Sequence, residues 1–254
     1  MDMVQLTVNH TVAYIRINRP EKHNALNPEI IQSLIHALQQ AHELATVRLI
    51  CIQANGKHFC AGADLQWLQD SMSFSETDNI ADAKQLATLL NLLYNSPKIT
   101  VAYVQGKVLG GGLGIISSCD MVIAEPHAQF AAPETTIGMV PAIIAPAVCA
   151  KIGIEKARLL FLSGIHISTK TAVDWGLVTE TIESSDFATH LEVLRAQIIK
   201  TAPGAVATTK QILRDIAKDS YSDSHSLMAK TRANKEAQEG FQCFFAKTVP
   251  SWQS

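Results

Sequence analysis

Residues 103–120 read YVQGKVLGGGLGIISSCD, and their glycines decide how the chain is read. The apolar run KITVAYV (98–104) has the composition of a buried strand, and it leads into Gly110, Gly111, Gly112 and Gly114 before the sequence turns apolar again. A strand that ends in small residues and then starts a helix leaves backbone N–H groups unpaired at the positive end of a helix dipole. Negative charge is favoured at such a place. About fifty residues earlier the same layout occurs, with the buried strand VRLICIQ (47–53) followed by FCAGADL (59–65) and Gly62 at the corresponding point. Two such units at a fixed spacing point to repeated ββα turns and an α/β fold.

Other glycine-rich loops fit less well. GLGIIS (112–117) puts Ser117 at the third glycine of a dinucleotide fingerprint, and the next strand ends in Glu125, too early for a ribose-binding acid. No GxxxxGK[ST] phosphate loop occurs.

Outward from these loops, VQLTV and TVAYIRI flank the dipeptide Asn9–His10 as a hairpin. A helix is expected from about Pro28 to Ala45, with Asn27 as N-cap, and another from about Ile80 to Tyr94. MVIAE (121–125) reads as a strand, and AQFAAPETTIGMVPA (128–142) as loop carrying one acid, Glu134. From Ile143 onward the pattern is helical apart from a short strand near LVTETIE. KTAPGA (200–205) sets off a terminal helical segment, which divides the chain into a core, 1–195, and a lobe, 196–254, suited to contacts between subunits.

With 254 residues, 47% apolar and 17% charged, the chain can bury a large core. Lys and Arg number 21 against 23 Asp and Glu, which leaves no basic excess for nucleic acid. No apolar stretch suits a membrane span, and the first residues lack the features of a secretory signal, so a cytoplasmic location is expected. Cys51, Cys60, Cys119, Cys149 and Cys243 are widely spaced in apolar company, as reduced core thiols are. No Cys/His spacing suggests a metal.

NRPEKHNALN (18–27), FCAGADL (59–65), GKVLGGG (106–112), CDMVIAE (119–125), FAAPETTIGMVP (130–141) and GFQCFFAK (240–247) together resemble the crotonase (enoyl-CoA hydratase/isomerase) family over essentially the whole chain. The resemblance implies a ClpP-like spiral of ββα turns with a C-terminal trimerisation lobe, and assembly as a homotrimer or a dimer of trimers. It implies an acyl-CoA thioester as substrate and no metal or redox cofactor. Negative charge on the thioester oxygen would be held by the N–H groups of Ala63 and Gly111, with a side chain at 111 expected to obstruct the thioester. Gly110, Gly111 and Gly112 would let the carbonyl approach. CoA would meet the first loop and the AGAD loop: Lys22, backbone around Ala25, Ala61, Gly62, Asp64 and Leu65, then Gly110, and Lys247 from the last helix. Asp64 could equally be only an N-cap.

Family hydratases carry two glutamates. Here Glu134 supplies one, and the other position is Gly114. Three readings follow: a hydratase in which Glu134 does both proton transfers, a Δ3-Δ2-enoyl-CoA isomerase, or an acyl-CoA-binding subunit without catalysis. PETTIGMVPAIIAPAV (133–148) resembles the bacterial methylglutaconyl-CoA hydratases of leucine and isovalerate breakdown, which favours hydration.

Overall fold

The computed structural model describes residues 2–253. Strands β1 (Val4–Asn9) and β2 (Val12–Ile17) form the expected hairpin, antiparallel with Asn9 opposite Val12, and His10 takes a left-handed φ of 51° in the turn. Strands β3 (Leu49–Ala54), β4 (Ile99–Val104), β6 (Met121–Ala124) and the two-residue β9 (Glu180–Thr181) then add in parallel, in the order β1-β2-β3-β4-β6-β9. Both faces of the sheet are covered. Ile50 and Ile52 turn to one apolar cluster, Leu49 and Cys51 to the other, which is why β3 reads as a continuous apolar run instead of an alternating one.

The connecting helices are α1 (Pro28–Glu43), α2 (Leu65–Asp70), α3 (Glu76–Tyr94) and α4 (Gly111–Ser117). Asn27 caps α1, its side chain accepting from Ile30 N–H, with Pro28 in the first turn, as the sequence leads one to expect. The start of α3 differs. Ser75 and Asp78 form a reciprocal capping box that begins the helix at Glu76, four residues before the expected Ile80.

A second, smaller sheet was not foreseen. Strands β5 (Lys107–Leu109), β7 (Gln129–Ala131) and β8 (Ile167–Ser168) pair in that order, so part of the segment read as loop, AQFAAPE, is strand. Isolated parallel bridges extend this ladder from Val108 to Cys60 and, further along the same segment, from Ala63 to Leu26. Successive turns of the spiral are thereby hydrogen-bonded side by side, and the loops that begin and end these short pieces gather in one place.

Helices α5 (Ala145–Ile152), α6 (Ile154–Ser163) and α7 (Thr169–Asp174) follow, then α8 (Phe187–Ile198), which covers the second face of the sheet with Leu191 and Ile198. Helix α9 (Pro203–Ala217) is tied back by Lys210, whose Nζ donates to Lys98 O at 2.7 Å and Asp120 Oδ2 at 2.6 Å. Arg48 donates to Trp252 O at 3.0 Å and also to Thr201 O. Helices α10 (Ser224–Ala233) and α11 (Lys235–Ala246) complete the helical segment. Phe244 and Phe245 of α11 are 77% and 80% exposed.

Candidate active site

The AGAD loop is held by backbone. Leu26 N–H donates to Gly62 O at 2.8 Å and Asp64 N–H donates to Leu26 O at 2.8 Å, so the peptide between them is fixed on both sides. Because a trans peptide points its C=O and N–H in opposite directions, the Ala63 N–H faces away from Leu26. Among the described residues it donates to nothing, and the same is true of Gly111 N–H at the first position of α4. These are the two donors expected from the sequence, both left unpaired.

Why Glu134 lies beside them follows from the small sheet. Leu109 is paired with Ala131, and Gly110 N–H donates to Ala131 O at 3.0 Å, so the residues just after Ala131 sit against the start of α4. Pro133 then opens a 3-10 turn, Glu134–Ile137, closed by Gly138 in the left-handed region. A Cβ placed on Gly110 would be 3.3 Å from Glu134 Oε1 and 3.9 Å from Gly62 Cα. Gly110 has φ 51° and ψ −117°, a backbone that only glycine adopts with ease. Glu134 Oε2 is buried with no hydrogen-bond partner among the described residues. Burial holds this carboxyl above the usual carboxylate range, and its own backbone N–H pulls back less strongly.

The adjacent glycines serve separate ends. A Cβ on Gly111 would meet Leu26 Cδ1 at 2.8 Å and Leu86 Cδ2 at 3.6 Å, so a side chain there presses on these leucines first. A packing conflict thus stands beside the obstruction of a thioester expected at this position. A Cβ on Gly112 would lie 2.6 Å from Cys60 Cβ, which gives Gly112 a close-packing role. Cys60 itself is fully buried, and burial pushes its thiol up to about 11, far from a reactive thiolate.

Gly114 is the position without the second glutamate. A Cβ there would be 2.6 Å from Ile144 Cγ2 and 3.0 Å from Leu90 Cδ1. Gly114 N–H donates to Gly110 O at 3.1 Å, so Ile144 stands about one helical turn along α4 from Glu134. The space next to Gly114 is taken by these two apolar side chains.

The remaining expected contacts divide. Ala25, Ala61 and Gly62 lie in the paired loops, but Ala25 N–H is taken by Lys22 O and Ala61 N–H by His23 O, leaving carbonyls as the groups to offer. Asp64 takes the N-cap alternative: its N–H goes to Leu26 O, its C=O accepts from Leu68 N–H, and its carboxylate caps α2 and pairs with Arg19. Lys22 and Leu65 are exposed at the edge of these loops. Lys247 ends α11 with φ 56°, and no hydrogen bond joins it to the loops among the described residues. Sequence reasoning missed Arg19, Leu26, Leu90 and Ile144. Arg19 and Leu26 stand inside a recognised motif, whereas nothing in the sequence marks Leu90 or Ile144 as neighbours of Gly114.

Residues 7–254 match the family model described as enoyl-CoA hydratase/isomerase. The chain is similar to an enoyl-CoA hydratase from Shewanella pealeana, with 30% identity, TM-score 0.94 and coverage of 98% of this chain and 96% of that one. Pseudomonas aeruginosa AtuE shares 30% identity at TM-score 0.91, over 99% and 100% of the two chains. The 2,3-dehydroadipyl-CoA hydratase of Escherichia coli K12 is 28% identical over 95% of both sequences.

Proposed function

The chain belongs to the enoyl-CoA hydratase/isomerase family, and on that premise we propose that it is an enoyl-CoA hydratase working with a single carboxylate, Glu134. The observation that carries this reading is the placement of Glu134 Oε1 against Gly110 with Oε2 buried and unpartnered, beside two unpaired N–H groups. In the ionised form Glu134 takes a proton from water as the oxygen bonds to the β-carbon. Electrons of the double bond move to the thioester oxygen, where Ala63 and Gly111 N–H hold the charge. Glu134, now protonated, returns the proton to the α-carbon. Its raised pKa suits it to both steps, and the sequence of steps calls for neither metal nor redox cofactor.

CoA is held by Lys22 and by the carbonyls of Ala25 and Ala61, which suit the donor amine of an adenine, with Gly62, Leu65 and Gly110 along the path and Lys247 as a phosphate contact. The preferred substrate is 3-methylglutaconyl-CoA, an intermediate of leucine and isovalerate breakdown, handled in the cytoplasm. The helices after α8, which runs through the expected boundary at 195/196 and packs Ile198 on the sheet, form the lobe through which the chain assembles as a trimer or dimer of trimers; the exposed Phe244 and Phe245 support this.

A second reading, the Δ3-Δ2 isomerase, is favoured by one observation. The filled space at Gly114 leaves room for one acid–base group, and moving a proton between the α- and γ-carbons needs only one. The test is to follow the enoyl-thioester absorbance with crotonyl-CoA and 3-methylglutaconyl-CoA in heavy water. Loss of absorbance with deuterium at the α-carbon is expected. Action on a 3-enoyl-CoA alone would make the protein an isomerase, and neither change would make it a binder.

A further inference from the structure

We propose that Arg19 is a positioning residue that holds the Ala63 N–H in place, acting through its ion pair with Asp64; this rests on the reading of Ala63 as an oxyanion donor. Arg19 Nη1 lies 2.5 Å from Asp64 Oδ2, and the two side chains are 17% and 5% exposed. Asp64 follows Ala63 directly. Its other carboxylate oxygen, Oδ1, accepts from Gln66 N–H at 2.9 Å and Trp67 N–H at 3.1 Å, the first turn of α2. One buried carboxylate thus joins the donor loop, the helix that follows it, and the first loop.

The rest of the first loop is braced to match. Arg19 N–H donates to Asn24 Oδ1 at 2.8 Å. Asn24, fully buried at φ 54°, spends its side-chain N–H groups on Asn55 O and His58 O, both at 2.7 Å. The Leu26 bridge then aligns the two loops with Ala63 at their meeting point. Of these ties, the Arg19–Asp64 pair is the ion pair that joins the first loop to the residue directly after Ala63. Without the guanidinium, the Asp64 carboxylate is left buried with uncompensated charge, a costly state relieved by turning toward water. Turning releases the cap of α2 and loosens the Asp64 N–H to Leu26 O bond that sets the Ala63 peptide.

The consequence is a loss of carbonyl polarisation with CoA still bound. The measurement is isotope-edited infrared spectroscopy of crotonyl-CoA carrying 13C at the thioester carbonyl, bound to Glu134→Gln protein so that no turnover occurs. The C=O band should shift to lower wavenumber on binding to Glu134→Gln and return toward the free position in Arg19→Met/Glu134→Gln. Arg19→Lys/Glu134→Gln, which keeps the charge, should fall between. In the Glu134-containing protein, Arg19→Met should lower kcat by about ten- to a hundredfold, short of the 10²–10³ lost when an oxyanion donor is removed outright. KM should move much less. If Arg19→Met does not fold, Asp64→Asn breaks the pair from the other side while retaining an oxygen to cap α2, and should give the same band movement. A full shift retained in the folded Arg19 or Asp64 variant overturns the inference. So does a rise in KM with the band unmoved, which would make Arg19 a CoA ligand. Absence of any shift in the Glu134→Gln parent would overturn the donor reading itself, and the inference with it.

Discussion

Gly114→Ala tests whether the place of a second carboxylate is closed. The added Cβ would sit 2.6 Å from Ile144 Cγ2, 3.0 Å from Leu90 Cδ1 and 3.2 Å from Ile144 Cβ, where carbon atoms prefer about 3.5–4.0 Å. Ile144 is 2% exposed and Leu90 5%, so neither can swing into solvent. In an open helix the change would gain about 1 kcal/mol from helix propensity. Overpacking costs about 1–3 kcal/mol, so the net effect should be destabilising by up to about 2 kcal/mol. Ile144→Ala alone should cost about 2–5 kcal/mol by leaving a cavity. The double variant should be more stable than the sum of the two predicts, by about 1–3 kcal/mol, because each change relieves the other. Urea unfolding read by circular dichroism gives these differences as midpoint shifts at constant slope. A Gly114→Ala protein more stable than its parent, or strict additivity in the cycle, would show that the space is open and the reasoning wrong. Gly114→Glu carries the same conflict plus a buried carboxylate. It should therefore fail to add hydratase activity unless Ile144 is also reduced.

Glu134→Gln should lower kcat by about 10²–10⁴. The same variant should gain stability at neutral pH. Burial raises the folded-state pKa of Glu134, so the stability carried by its protonated form is full below the ordinary carboxylate pKa and is lost as pH rises through the raised one. Melting curves across pH should show the advantage of glutamine vanish in acid. With Glu134 as the base, kcat/KM should fall on acidification at a pH above the ordinary carboxylate range, and Glu134→Gln should lack that limb. Gly110→Ala should cost about 1–3 kcal/mol for a backbone conformation that side chains rarely adopt and remove most turnover, since its Cβ crowds Glu134 Oε1 at 3.3 Å; a variant with normal rate would dissociate Gly110 from the site. Gly112→Ala should destabilise through its 2.6 Å approach to Cys60 Cβ, and Cys60→Ala should not rescue it, because the Cβ remains.

What could be read in the sequence was local. Asn27 before Pro28, the apolar runs of β3, β4 and β6, and the glycines ahead of α4 each carry their structural reason within a few residues. Glu134 and the N–H groups of Ala63 and Gly111 stand out in the sequence because they lie in motifs that resemble the family's. The pieces not found depend on partners distant in the chain. Three-residue strands such as β5 and β7 are indistinguishable from loop until Leu109 meets Ala131, and that pairing is what brings Glu134 to Gly110. The start of α3 was missed because its first turns are polar and only the Ser75–Asp78 box announces it. Gly114 was read as the absence of a carboxylate, and the structure adds that Ile144, thirty residues on, occupies the ground. The Arg19–Asp64 pair spans 45 residues and left no periodic trace.

The long-range ties of the sheet bear on how the chain matures during synthesis. Arg48, at the foot of β3, takes its carbonyl partners from Thr201 and Trp252, respectively 153 and 204 positions further along, and the Lys98 carbonyl receives Lys210 from 112 positions on. A chain leaving the ribosome presents its first residues long before these arrive. The segments that carry Ala63, Gly111 and Glu134 are therefore all synthesised while the sheet beneath them still lacks its final bonds. Nascent chains stalled before about residue 200 should be sensitive to protease along β3 and β4, and a competent site should emerge only when α9 and Trp252 lock the sheet from the other side.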